Sequence, residues 1–413
     1  MAVLGECPNR APEQAVILCG GLGSRLGELT RQTPKPLLPI QGRPFLEILI
    51  QEISRYGVTR FLLLAAFRSE LIETFSREVG ARLGRDITVE VSIEPDRAGT
   101  GGALVHALPL LDETFYLFNG DSLLDTPLDR LAGLLSRPGA GAALALRRLE
   151  AGGRYGVVER DGERIISFGK KGDPEAPAWI NGGVYALRRA LIARLPSTSS
   201  IEEELFAPLA EEGGGIYGLE TDGFFLDIGV PEDFARAQTA IPAHQHRPAV
   251  FFDRDGVLNL DHGHVGTPDR FEWVEGAREA VAAVNARGWY AFIVTNQAGI
   301  GKGFYSVDDH HRLMRHMRDE LVAAGGHIDD HRFCPFHPEA TIEAYRGMSD
   351  WRKPGPGMLL DLMAHWPVDR ANSLMIGDNP TDIQAAEAAG VAGYLFTGGR
   401  LDQFLDAIIN RQD

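Results

Sequence analysis

The sequence predicts an α/β protein built from two doubly wound, mostly parallel sheets in succession. Three observations support that class. Short apolar runs end in glycine or aspartate and alternate with stretches of helical periodicity, as expected of strands buried on both faces of a parallel sheet. The alternation stops near Ala240 and resumes at Ala249. The 413 residues exceed one ordinary core, because a domain holds roughly 100–200 residues.

Taken in order, residues 15–18 are the first apolar run and lead into glycines, the pattern of a buried strand feeding a loop and then a helix. Further runs at 61–65, 89–93, 115–118 and 142–146 alternate with helical stretches such as 44–56 and 103–111. Residues 241–247 carry Pro242, His244 and His246 without periodicity and read as a linker. The second series has strands at 249–252, 290–294 and 373–376, with helices at 277–286 and 307–324. The expected layout is a frayed tail at 1–14, a first domain at 15–240, the linker at 241–247 and a second domain at 248–413.

With 44% hydrophobic and 24% charged residues and 48 glycines, the composition suits a soluble globular protein rich in strand-to-helix turns. No apolar run approaches the roughly 20 residues of a spanning helix, so no membrane partner is expected. A formal net charge of −16 disfavours nucleic acid, whose phosphate backbone calls for a basic face. Anionic small substrates must instead meet locally placed Arg, Lys, helix N-termini and metal ions. Glu6, Pro8, Pro12 and Glu13 stand where a signal peptide carries basic and then apolar residues. Cys7, Cys19 and Cys334 lack paired spacing, which argues for reduced thiols and the cytoplasm. Oligomeric state is not encoded in any motif, and a homo-oligomer stays open.

Gly20, Gly21 and Gly23 form a loop directly after the first strand. The third glycine position of a dinucleotide fingerprint holds Leu26, and no Lys-Ser/Thr pair completes a P-loop. Arg25 follows closely, and Pro34 and Pro36 are expected to hold Lys35 in an extended segment beside the loop's N–H groups, where a triphosphate would lie. Gly99-Thr100-Gly101-Gly102, Asn119-Gly120-Asp121, Asn181-Gly182-Gly183 and Asp227-Ile228-Gly229 come next. In this order the motifs resemble those of the sugar-1-phosphate nucleotidyltransferases. Arg154-Tyr155-Gly156 and Asp227-Ile228-Gly229-Val230-Pro231 are similar to the heptose-1-phosphate guanylyltransferase subgroup.

The resemblance implies a Rossmann-like domain in which a sugar phosphate oxygen attacks the α-phosphorus of GTP in line and pyrophosphate leaves. It implies Mg²⁺ at Asp121 and Asp227, Arg25 and Lys35 on the pyrophosphate, and Lys171 on the incoming sugar phosphate. Gly20, Gly21, Gly23, Gly101, Asn119, Asn181 and Gly182 would line the nucleotide and the sugar. Lys170 stands where the family usually has Glu. Glu202, Glu203 and Glu204 read as the first turn of a helix, where carboxylates suit the dipole.

In the second series an apolar strand delivers Asp253 and Asp255, two residues apart and able to project to one side of an extended segment. That spacing permits Asp253 to attack phosphorus while Asp255 protonates the departing alkoxide and then activates water. Asp378 follows another apolar strand and is the natural third Mg²⁺ ligand beside Asp253 and Asp255, with Asp382 farther out. Together with Thr295 and Lys353 these residues resemble the four motifs of haloacid-dehalogenase-type phosphatases.

Residues 253–259, Asp261 to His264, Thr295-Asn296-Gln297 and Arg352-Lys353-Pro354 further resemble heptose-1,7-bisphosphate phosphatases and their histidinol-phosphatase relatives. This implies a Rossmannoid domain with a minimal cap, and substrate contacts from Asp261, His262, Gly263, His264, Asn296, Gln297 and Arg352. Relatives often hold zinc through Cys-x-His and Cys-x-Cys pairs. Cys334, Phe336, Ser349 and Trp351 stand at those positions here, so no zinc is expected.

The two resemblances converge on one pathway. The phosphatase would remove the 7-phosphate of heptose 1,7-bisphosphate, and the transferase would join the resulting heptose 1-phosphate to GMP from GTP. The rivals are a mannose-type or other hexose-1-phosphate nucleotidyltransferase fused to a broad sugar phosphatase, and a nucleotide-sugar-binding regulatory subunit.

Overall fold

The computed structural model describes residues 11–21, 23–150, 156–171 and 176–410, without the side chains of 169–171. Most of the expected tail, together with Cys7, Arg154 and Tyr155, lies outside them. Two compact units divide the chain after Ile241.

In the first unit the parallel strands Thr88–Ile93, Arg60–Ala65, Gln14–Leu18 and Thr114–Asn119 lie side by side in that order. Alternate residues feed opposite faces, as strand geometry requires. Ala15, Ile17, Phe61, Leu63, Tyr116 and Phe118 join one core with the helix Phe45–Ser54. Val16, Leu62, Leu64, Phe115 and Leu117 join another with Ala103 and Leu104 of the helix Gly99–His106. Helices therefore cover both faces of this half.

The other half departs from a mostly parallel sheet. Ala178–Arg188 runs antiparallel to both Thr114–Asn119 and Ala142–Leu149, and the sheet continues through Ile216–Thr221, Arg164–Lys171 and Gly156–Asp161. The last two strands form a hairpin closed by Gly162 and Glu163, with Gly162 at φ 59°. A two-residue turn enforces antiparallel pairing, whereas parallel neighbours need a long crossover.

Residues 241–245 are not an irregular linker. The helix Pro231–Gln245 runs through them with Pro242 inside it. Proline cannot donate to the carbonyl four residues back, which would orphan the Gln238 oxygen. Here that oxygen accepts from Gln41 Nε2 at 2.9 Å, so the helix survives its proline.

In the second unit Asp330–Cys334, Tyr290–Asn296, Ala249–Phe252, Leu374–Gly377 and Ala392–Leu395 form an all-parallel sheet in that order. Val250 and Phe252 face the helices Ala277–Ala286, Val307–Ala323 and Leu401–Ile409, while Ala249 and Phe251 face Gly357–His365 and Pro380–Ala389. The chain leaves the central strand toward one edge and returns on its other side. This creates a crevice at the carboxyl ends of Ala249–Phe252 and its neighbours, the usual ligand position in such sheets.

Candidate active sites

In the first unit the strand Gln14–Leu18 ends at Cys19, whose N–H donates to Leu64 O at 2.8 Å, and the glycine loop begins. A Cβ on Gly20 would lie 3.1 Å from Glu94 Oε1, whereas none at Gly21 would meet anything within 4 Å. Gly23 sits at φ 60°, and its carbonyl accepts from the Thr30 hydroxyl at 2.9 Å. Arg25 is exposed in the one-sided turn Ser24–Thr30. The segment around Lys35 is not extended: Lys35–Leu37 forms a 3₁₀ turn, with Leu37 N–H donating to Pro34 O at 2.9 Å. Proline's fixed φ suits that turn as well as an extended chain, so the prolines alone did not decide between them.

The short pair Phe225–Asp227 and Ser122–Leu124 then brings two carboxylates together, with Ile228 N–H on Asp121 O at 2.9 Å. The buried Lys35 ammonium stands 2.7 Å from Asp121 Oδ2 and 3.8 Å from Asp227 Oδ1. Asp227 Oδ1 also accepts the Gly229 N–H at 2.6 Å, and a side chain on Gly229 would press within 2.8 Å of that oxygen. Two convergent carboxylates already sharing a cation are a donor set that fits a hard divalent ion.

The remaining expected residues divide. Asn181 Nδ2 donates to Tyr185 Oη at 2.7 Å and to Glu202 Oε1 at 3.0 Å, and Asn119 Nδ2 lies 2.9 Å from where a Gly183 Cβ would stand. Burial pushes the Glu202 carboxyl and the Tyr185 hydroxyl up. Glu202 thus does more than begin a helix: it joins this network from the π-helical turn Glu202–Phe206. Gly101 and Gly182 are closely packed on the side where a side chain would stand. The Gly101 N–H is engaged by Ser199 O at 2.9 Å, and a Cβ on Gly182 would lie 2.4 Å from Leu124 Cδ2. Lys171 ends the strand Arg164–Lys171, and its side chain lies outside the described residues.

In the second unit Asp253 leaves the central strand with its N–H on Ile376 O at 2.9 Å. The Lys353 ammonium, 3% exposed, stands 2.8 Å from Asp253 Oδ1, 2.8 Å from Asp382 Oδ1 and 3.0 Å from Val294 O. Burial pushes the Asp253 carboxyl up to about 7 against the pull of Lys353. Gly256, at φ 86°, lets the loop close on Asp378: a Cβ there would lie 2.1 Å from Asp378 Oδ2.

Among the described residues, Asp253, Asp378 and Asp382 present carboxylate oxygens within 4.8 Å of one another, a set that fits a hard divalent cation. The expected Asp378 and Asp253 are in this cluster, Asp382 joins them, and the Asp255 carboxylate does not. Asp382 stands inside the cluster because the first turn of Pro380–Ala389 turns it toward Lys353. The Asp255 carboxylate faces elsewhere, bonded by Arg254 Nη2 at 2.9 Å, Asn259 Nδ2 at 3.0 Å and Gln297 Nε2 at 2.8 Å.

Two expected substrate contacts are engaged within the protein. Asn296 exchanges hydrogen bonds with the backbone of Lys353 at 3.2 and 3.1 Å, fixing the lysine's entry. Gln297 is buried, with its amide on Asp255 and on Thr295 Oγ1 at 2.8 Å each. The loop of Asp261, His262, Gly263 and His264 stays exposed, and Arg270 gathers its carbonyls by donating to His262 O, Gly263 O and His264 O at 2.9, 3.0 and 3.2 Å. Arg352 is half-buried nearby, its Nη1 3.5 Å from Phe336 O. Cys334 is buried in the core against which Phe336 and Trp351 pack. Sequence reasoning missed Arg254 and Tyr305. Arg254, fully buried and placed between Asp253 and Asp255 in sequence, carried a detectable signal in that position.

Residues 14–244 match the family model described as Nucleotidyl transferase, and residues 350–406 match one described as HAD-hydrolase-like. The D-glycero-beta-D-manno-heptose-1,7-bisphosphate 7-phosphatase of Rhodopseudomonas palustris is 49% identical over 163 residues, covering 40% of this chain and 91% of that protein. The D-glycero-alpha-D-manno-heptose-1,7-bisphosphate 7-phosphatase of Burkholderia mallei is 45% identical, covering 36% of this chain and 78% of that protein. The mannose-1-phosphate guanylyltransferase catalytic subunit beta of Danio rerio is 36% identical over 54% of this chain, which spans 62% of that relative's length. Among solved structures, HddC from Yersinia pseudotuberculosis aligns at 28% identity with a TM-score of 0.48, covering 55% of this chain and 99% of its own. No helix among the described residues is long and apolar enough to cross a membrane. The chain is an enzyme with two activities, belonging to the nucleotidyl transferase family through its first unit and to the HAD-like phosphatases through its second.

Proposed function

We propose that the phosphatase, residues 248–413, removes the 7-phosphate of a heptose 1,7-bisphosphate and that the transferase, residues 15–240, joins the heptose 1-phosphate to GMP from GTP. The observation that carries this reading is the 49% identity to a heptose bisphosphatase in a chain whose other unit is a nucleotidyl transferase. A bisphosphatase that spares the 1-phosphate yields a sugar 1-phosphate, the acceptor class of the second activity. The relative named as a mannose-1-phosphate guanylyltransferase supports guanine as the base. Phosphatase relatives of both anomers align, at 49% and 45% identity, and pairing with guanylyl transfer favours the α-anomer.

Mg²⁺ suits both oxygen-rich sites, held by Asp121 and Asp227 in one and by Asp253, Asp378 and Asp382 in the other, where it would neutralise phosphate charge. In the phosphatase, Asp253 attacks phosphorus and the bond to the sugar oxygen breaks. Asp255 gives that oxygen its proton, then takes one from the water that hydrolyses the aspartyl phosphate. Lys353 and the Thr295 hydroxyl meet the phosphate oxygens. In the transferase, Lys35 and Arg25 receive the charge that develops on the leaving pyrophosphate, and no covalent intermediate is required.

A second reading, a mannose-type transferase fused to a broader phosphatase, draws on the same guanylyltransferase relative. Mass spectrometry of products from each anomer of heptose 1,7-bisphosphate, and from mannose 1-phosphate, with Mg²⁺ and an equimolar mixture of nucleoside triphosphates separates the two. GDP-heptose as the dominant product is expected. GDP-mannose formed in preference to GDP-heptose would replace the proposal with the second reading.

A further inference from the structure

The Asp255 carboxylate is held by a network that reaches beyond the residues assigned so far. Gln297, 1% exposed, gives one amide hydrogen to Asp255 Oδ2 and the other to Thr295 Oγ1, both at 2.8 Å. Its Oε1 accepts from the Tyr305 hydroxyl at 2.5 Å. The guanidinium of Arg254 grips both Asp255 oxygens at 2.9 Å.

The directions of these bonds are forced. The Asp255 carboxylate, gripped by Arg254, only accepts, so the Gln297 group that faces it is the NH₂, and Tyr305 gives its proton to the amide oxygen that remains. Gln297 must then turn its oxygen toward Tyr305 and its NH₂ toward Asp255 and Thr295. Because Thr295 Oγ1 accepts there, its proton is left to point at a phosphate oxygen. The Tyr305 ring is fixed as well: a Cβ on Gly266 would lie 2.2 Å from it and one on Gly299 2.3 Å, so backbone closes on it from two sides.

We propose that Tyr305 is a positioning residue of the phosphatase, orienting through Gln297 both the Asp255 carboxylate and the Thr295 hydroxyl for the reacting phosphate ester. The inference rests on the phosphatase reading above. It turns Gln297 from a substrate contact into the scaffold of the acid/base group, and it gives a role to Tyr305 that no motif marked. Preorganised polar groups of this kind lower the barrier because they need no rearrangement as charge moves.

The test uses the full chain and phenyl phosphate, an aryl phosphate whose poorer leaving group benefits from the Asp255 proton, as substrate. Tyr305→Phe keeps the ring and removes only the hydroxyl. It is expected to lower kcat about five- to tenfold with KM within about twofold, since ground-state binding is untouched. Gln297→Met is expected to lower kcat further. The double variant should be no slower than Gln297→Met alone, because the tyrosine acts only through the amide. Melting curves that coincide with wild type for Tyr305→Phe exclude a packing effect. A wild-type kcat for Tyr305→Phe, or losses that multiply in the double variant, would overturn the proposal. Because the ratios are taken on an aryl phosphate, they hold whatever sugar is bound, so a wrong sugar and a wrong positioning residue give different results.

Discussion

Replacing Lys353 by methionine takes away the ammonium that two buried carboxylates share. At 2.8 Å each attraction is worth about 6 kcal/mol gross at an effective dielectric near 20, and most of it offsets the cost of burying the charges. The variant keeps that cost and loses the attraction. Asp253 and Asp382 are 8% and 1% exposed and the lysine 3%, so solvent screening gives little relief. Breaking such a pair from one side costs about 3–5 kcal/mol. For a unit of this size that lowers the melting transition by roughly 6–20 °C. Calorimetry of the full chain in EDTA reads the effect, with the first unit as internal reference. Added Mg²⁺ should narrow the gap, because the three carboxylates then gain a cation that binds the folded state alone. Phosphatase turnover is lost while nucleotidyl transfer continues. A second-unit transition unchanged in EDTA would refute the reasoning, since it would mean the carboxylates tolerate burial without their lysine.

Asp121→Asn and Asp227→Asn should each abolish nucleotide-sugar formation while leaving phosphate release intact, measured on one preparation by chromatography of both products; wild-type transfer by either would remove the metal assignment there. Gly256→Ala places a Cβ 2.1 Å from Asp378 Oδ2 at φ 86°, so it should displace that carboxylate and raise the Mg²⁺ concentration needed for half-maximal phosphatase rate at least tenfold. Burial lifts Asp253 to about 7, and a carboxyl whose folded value exceeds its unfolded one binds protons more tightly when folded. The metal-free second unit should therefore gain stability as pH falls from about 8 toward 5, and Asp253→Asn should flatten that slope in denaturant titrations.

Three of the five strands of the second unit were legible to within two residues because each is an uninterrupted apolar run ending in a functional group, whereas Asp330–Cys334 and Ala392–Leu395 were missed, the former because its sequence DHRFC has no apolar run. Residues 249–252 and 277–286 coincide with the strand Ala249–Phe252 and the helix Ala277–Ala286. The antiparallel half of the first unit was less legible. Arg164–Lys171 and Gly156–Asp161 alternate polar and apolar residues weakly, and their direction follows from the Gly162 turn. At the sites, the motif residues Lys35, Asp121 and Asp227, and likewise Asp253 and Lys353, do come together in the fold. Orientation was not legible. Asp255 and Asp382 have the same side chain, and which one joins the carboxylate cluster depends on Arg254, Asn259 and Gln297 holding one away while Lys353 draws in the other. The close packing at two glycines was likewise hidden in the sequence: Ser199 and Leu124 occupy the space that a side chain at Gly101 or Gly182 would need.

Both units meet the same electrostatic problem with the same device. A chain of net charge −16 must draw phosphate esters into sites lined by aspartates. In each unit a lysine lies between carboxylates at the carboxyl end of the sheet, Lys35 between Asp121 and Asp227 and Lys353 between Asp253 and Asp382. The ammonium holds the two carboxylates close together before any other cation arrives, so the oxygens are already arranged for a divalent ion. It also leaves a positive charge that can turn to the substrate once an ion takes up the carboxylates. The lysines differ in how far they can turn. Lys353 is tied to a third acceptor, Val294 O, and its backbone is clamped by Asn296, so it suits a fixed phosphate contact. Lys35, asymmetric at 2.7 and 3.8 Å from its two partners, is the better placed to follow a leaving pyrophosphate. Lys35→Arg should therefore retain more transfer than Lys353→Arg retains phosphatase, because the larger guanidinium can swing out of the first site and has no room in the second.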